Sequence, residues 1–96
     1  MADLFTQMIA GVTVISGAAT AAQLSATSVP CSFVQIQAPP QNAGIAYLGD
    51  VDSQPWELPA GGGETTIYAR DLNEIYVIGT AADVLNWIAY QGRPPA

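Results

Sequence analysis

Apolar and polar positions alternate in short runs along most of this chain, and the runs are too brief for helices. The clearest is Cys31 to Ala38, where Phe33, Val34 and Ile36 stand against Ser32, Gln35 and Gln37. One apolar face and one face of neutral amides is the pattern of a half-buried strand. Val12-Thr13-Val14-Ile15-Ser16 is β-branched almost throughout, which suits a pleated surface. Thr20 to Leu24, Ile45 to Leu48, Glu64 to Ala69, Ile75 to Ile78 and Val84 to Tyr90 also read as strands. Pro55-Trp56-Glu57-Leu58 reads as an edge strand, because proline cannot donate to a ladder.

Turn residues separate these runs: Pro39 to Gly44, Gly49 to Gln54, Pro59 to Gly63, Asp71 to Glu74 and Thr80 to Asp83. Strands with turns every 8–12 residues or so predict a sandwich or a barrel. The expected fold is all-β: a small β-sandwich, jelly-roll-like, or a partly open barrel of about seven or eight short antiparallel strands. Residues 1–10 depart from this pattern. Leu4, Phe5, Met8 and Ile9 share one face of a short helix that is marginal alone. This segment is expected to cap the sheet as a helix or to form an apolar arm that orders on a partner. Residues 11–91 would make the sandwich, and residues 92–96 a proline-rich tail carrying Arg93.

Charge changes the picture. No charged residue occurs from Leu4 to Gly49, and the chain is 10% charged where soluble domains are about 25%. Gly, Ser, Thr, Gln, Asn and Pro interrupt the uncharged stretch, so it lacks the roughly 18 apolar residues of a membrane span. A protein of 96 residues makes one domain with a modest core. So sparse an ionic surface predicts that neighbours cover much of it. The expected partners are copies of itself or a larger assembly. The net charge is −6, and Arg70 and Arg93 are the only cations. That excludes binding by phosphate neutralisation, and it argues against docking on anionic lipid. The acids fall beside turn residues and read as a solvated coat.

The chain has no His and one Cys. Ser-His-Asp, Cys-His and zinc sites of Cys and His are therefore impossible. Cys31, in an apolar run, reads as a buried small hydrophobe. No enzyme activity, metal or cofactor is expected. Asp50 and Asp52 resemble a pair of calcium ligands, but the EF-hand pattern is missing and turn acids are the better reading. Gly61-Gly62-Gly63 leads into a strand headed by Glu64, so it reads as a β corner and not as a phosphate loop. Trp87 reads as core, and Trp56 as either a lid on the core or a subunit contact. The composition suits folding in a reducing cytoplasm, and no signal peptide is expected.

The order of motifs resembles small β-rich virion proteins of tailed bacteriophages, namely capsid decoration (cement) proteins and related head-fibre or tail-associated domains. The resembling segments are Val12-Thr13-Val14 with Ala22-Gln23-Leu24, and Val29-Pro30-Cys31-Ser32 leading into Val34 to Ala38. They continue with Ala43 to Gly49, Leu58-Pro59-Ala60-Gly61, Asp71 to Gly79 and Val84 to Tyr90. The resemblance implies a structural protein on the outside of a phage capsid that bridges major capsid protein subunits. It also implies self-association, with a trimer favoured and a dimer possible, and synthesis in the host bacterial cytoplasm. The alternative is a head-fibre or tail-associated module that binds host-surface glycans. Leu4, Phe5, Met8, Ile9, Trp56 and Arg93 are the residues expected at protein interfaces.

Overall fold

The computed structural model describes residues 7–17, 20–59 and 61–91. Eight strands follow one another: β1 (Gln7–Val14), β2 (Ala22–Gln23), β3 (Phe33–Gln37), β4 (Ala46–Gly49), β5 (Trp56–Leu58), β6 (Glu64–Ile67), β7 (Tyr76–Ile78) and β8 (Val84–Gln91). A short 3-10 helix, Leu72–Glu74, precedes β7. The strands form two open antiparallel sheets, ordered β1-β8-β3-β6 and β2-β7-β4-β5.

That order has a simple origin. β1 pairs with β8, β2 with β7, β3 with β6 and β4 with β5. The chain is thus one long antiparallel hairpin, folded at the loop between β4 and β5 and rolled so that alternate strand pairs fall in opposite sheets. This is jelly-roll topology. It comes as expected, with the expected edge position of β5. The exception is the start. Gln7 to Ala10 are strand paired with Gln91 to Ile88, so the boundary expected at Gly11 lies inside β1. Residues four apart on a helix and two apart on a strand are hard to tell apart in so short a run, and pairing with β8 decides it.

The core fills the space between the sheets. Val34 and Ile36 of β3 and Leu85, Trp87 and Ala89 of β8 face Ala46, Leu48, Leu58 and Val77 of the second sheet. Ile15, Leu24, Leu72 and Ile75 close its ends. Phe33 does not join them. Strict alternation groups Phe33 with Gln35 and Gln37, on the outer face, because Val34 and Ile36 point inward. Cys31 is half-buried and packs against the core rim. Its thiol donates to the Ala69 carbonyl, and burial, helped by the charges of Asp71 and Glu74, pushes its pKa up.

Trp87 fastens β1 to this core. Its ring covers Gly11 of the neighbouring strand, where a Cβ would overlap the indole. The indole Nε1 donates to Thr13 Oγ1 at 2.9 Å, and the Thr13 hydroxyl donates to the Leu24 carbonyl beside β2. One chain of contacts therefore links both sheets.

Two polar side chains replace missing backbone. The β3–β8 register would set Val84 opposite Pro39, which has no N–H. The buried Asn42 side chain takes that place: its Nδ2 donates to the Val84 carbonyl at 2.7 Å and its Oδ1 accepts from the Val84 N–H at 2.9 Å. Asp83, expected among the solvated acids, is buried instead. Its carboxylate accepts from the backbone N–H groups of Ala43 and Gly44. Asp71 caps the 3-10 helix, accepting from Asn73 N–H, the Ser28 hydroxyl and Val29 N–H, and these bonds hold its carboxyl below the usual carboxylate range.

Three outcomes follow for stability. Gly11→Ala should cost about 1–3 kcal/mol through overpacking against Trp87, read as a lower midpoint in urea unfolding. Asn42→Ala should cost about 2 kcal/mol, because it leaves the Val84 backbone unpaired. Asp71 stabilises most fully above the carboxylate value of the unfolded chain, about 3.9, and that contribution is lost as pH falls through its lower folded value. Asp71→Asn should therefore destabilise at neutral pH, with the gap from wild type narrowing below about pH 4 in acid titrations followed by circular dichroism.

Candidate interaction surface

Among the described residues, the outer face of the β1-β8-β3-β6 sheet takes no part in the core. Register builds it row by row. Met8, Tyr90 and Phe33 make one row; Ala10, Ile88, Gln35 and Thr66 the next; Val12, Asn86, Gln37 and Glu64 a third; Val14 and Val84 end it. Glu64 is the only charged residue among them.

The face has two halves. The β1 half is aliphatic and open: Met8, Val12 and Val14 are 64%, 61% and 63% exposed. The β3 half is aromatic at one end and amide-bearing at the other. Phe33 stacks on Tyr90 with centroids 4.5 Å apart, and Tyr68, just past β6, leans on Phe33 at 5.6 Å. The Tyr90 hydroxyl donates to Gln35 Oε1 at 2.8 Å, which orients that amide. Between the halves runs a shallow trough of about 840 Å³, lined by Ala10, Val12, Gln35, Gln37, Asn86 and Ile88 among others. Such a face can bury apolar area and trade neutral hydrogen bonds without desolvating charge.

A second, smaller cleft of about 390 Å³ lies where β5 and β6 leave the sandwich open. Trp56 is registered with Leu48 on the inner side of its sheet, yet it stands at the edge, is 60% exposed, and reaches across to donate from Nε1 to Thr65 Oγ1 at 3.3 Å. It roofs this cleft and bridges the two sheets.

The three expected interface residues that are described, Met8, Ile9 and Trp56, are thus not brought together. Met8 lies on the outer face, Ile9 on the inner side opposite Ala89, and Trp56 on the other sheet. Leu4, Phe5 and Arg93 lie outside the described residues. The surface also contains residues that the sequence reading passed over: Val12, Val14, Ile88 and the row Phe33–Tyr90–Tyr68. Their shared parity within β1, β8 and β3 is the signal that would have found them.

The acidic loops carry little chemistry. Asp50 Oδ1 accepts from the N–H groups of Asp52 and Ser53, both at 2.9 Å, as turn acids do. Among the described residues, no three His, Cys, Asp or Glu side chains gather as metal ligands. Gly61 and Gly62 have positive φ and shape a corner tied to Ala38, with Gly62 N–H donating to its carbonyl. The Arg70–Glu74 pair at 3.4 Å is exposed, so it adds little stability. No helix is long and apolar enough to cross a membrane among the described residues. Compared with protein families, with curated proteins and with solved structures, the chain matches none of them.

Proposed function

We propose that this chain is a non-catalytic assembly subunit, a decoration protein of a tailed-phage capsid that lays the outer face of the β1-β8-β3-β6 sheet on the shell and joins copies of itself. The observation that carries this reading is the outer face itself. It is broad, aliphatic on one half, amide-lined on the other, and bears Glu64 as its sole charge among the described residues. The acids Asp50, Asp52, Glu57, Asp71 and Glu74 lie on the second sheet or the loops, where they favour water. Of these, Glu57 alone lies on a strand, and the other four lie in the loops and the 3-10 helix, so charge gathers away from the outer face. The virion setting comes from the resemblance of the strand motifs.

One observation favours a second reading. The Phe33–Tyr90–Tyr68 row beside Gln35, Gln37 and Asn86 offers ring faces and neutral donors and acceptors together. Neutral oligosaccharides would be bound by those same groups, and the chain would then be a glycan-recognising module of a head fibre or tail.

Copy number on virions separates the two. A cement protein should be present at many copies per particle, and a tip module at a handful, as counted by quantitative gels of purified particles. Ile88→Lys, at the middle of the face, should cut shell occupancy about tenfold or more while leaving the unfolding midpoint within about 1 kcal/mol of wild type. Binding to neutral oligosaccharides on an array, together with low copy number, would move the assignment to the second reading. Absence from virions would end the capsid reading.

A further inference from the structure

Four strands bound the two open sheets, and three of them are poor templates for another strand. β2 has two residues, and β5 has three and lies between Pro55 and Pro59. β6 has four and begins with an exposed glutamate, Glu64. Short, charged or proline-flanked edges are how natural sheets avoid pairing with other chains. β1 has none of these guards. It runs for eight residues, Gln7–Val14, without a charge or a proline.

The direction of its free backbone groups follows from the ladder. Ile15 N–H donates to the Asp83 carbonyl at 2.8 Å, one step beyond the Val14–Val84 pair. Backbone groups alternate sides along a strand. Gly11 and Thr13 therefore turn theirs toward β8, and Met8, Ala10, Val12 and Val14 turn theirs to the open edge. The same four residues project their side chains onto the outer face.

We propose that β1 pairs antiparallel with β1 of a second copy across a two-fold axis, with Met8 opposite Val14 of the second copy and Ala10 opposite its Val12. This deepens the assembly reading by naming the seam through which copies join. The register centres on Gly11, which meets Gly11 of the second copy, and every outward N–H and C=O from Met8 to Val14 gains a partner. The axis stands perpendicular to the sheet, so the two outer faces lie on one side and merge. Met8, Val12 and Val14 gain apolar neighbours across the seam, as cross-strand pairs do. Charge favours a second copy as the occupant. The chain carries −6 overall, yet β1 and β8 hold no charged residue, so two copies meet here without setting like charges opposite one another.

Sedimentation equilibrium of the purified full chain, over a wide concentration range, tests this. The expected result is a monomer–dimer equilibrium. Val12→Pro removes an N–H that points away from β8 and that no described residue accepts, so the fold should survive by circular dichroism and the dimer dissociation constant should rise about tenfold or more. Should Val12→Pro not fold, Val12→Lys decides, because that side chain is exposed and a lysine there guards the edge. A wild type that stays monomeric, a trimer, or folded variants that dimerise like wild type would overturn the proposal. A monomer that still loads onto virions removes the edge seam and leaves the capsid reading intact. A dimer absent from virions does the reverse.

Discussion

The fold depends on the seating of Trp87 against the bare backbone of Gly11. β8 pairs along its length with the first strand and also holds β3 on its other side. Without a flat contact between β1 and β8, the first strand would be tied only by backbone bonds at a sheet edge. The indole supplies that contact, and its N–H carries the connection through Thr13 to Leu24 on the far sheet. A large aromatic group with one polar atom suits the task, because it fills volume and still satisfies its own donor. Everything inward of it, from Ile36 to Leu48, is ordinary aliphatic packing.

A second constraint is the replacement of backbone by side chain at the corner from Pro39 to Gly44. Proline ends β3 cleanly, but it leaves the β8 ladder one partner short. Asn42 restores the missing donor and acceptor, and Asp83 holds the N–H groups of Ala43 and Gly44. The corner is therefore a polar rivet inside an apolar sandwich. Its cost is the desolvation of an amide and a carboxylate, and its return is a defined path for the chain into β4.

Much of the architecture was legible because strand periodicity and turn chemistry are local. Pro55 marked an edge strand, the turn at 71–74 fell before β7, and the alternation at Val34 and Ile36 named core positions correctly. What failed was non-local or turned on one residue of parity. Phe33 was grouped with the core by its hydrophobicity alone, although its neighbours at Gln35 and Gln37 fix it outside. The burial of Asp83 could not be read from a turn-like surrounding, since its partners lie some forty residues earlier in the chain. The strand character of Gln7 to Ala10 comes from β8, at the other end of the sequence. The outer face was half legible: the lack of charge marked a weakly ionic surface, but only the register between strands showed which side chains share that face.

The pairing of Gln7 with Gln91 also governs when the molecule can be completed. During synthesis the first strand emerges long before the strand it must join, so an uncharged, branched segment waits without its ladder. Contacts so distant in sequence make folding slow, and an unpaired strand of this composition invites wrong partners meanwhile. Refolding from denaturant should thus lose yield as protein concentration rises, and the route to the native state is a race between chain closure and aggregation.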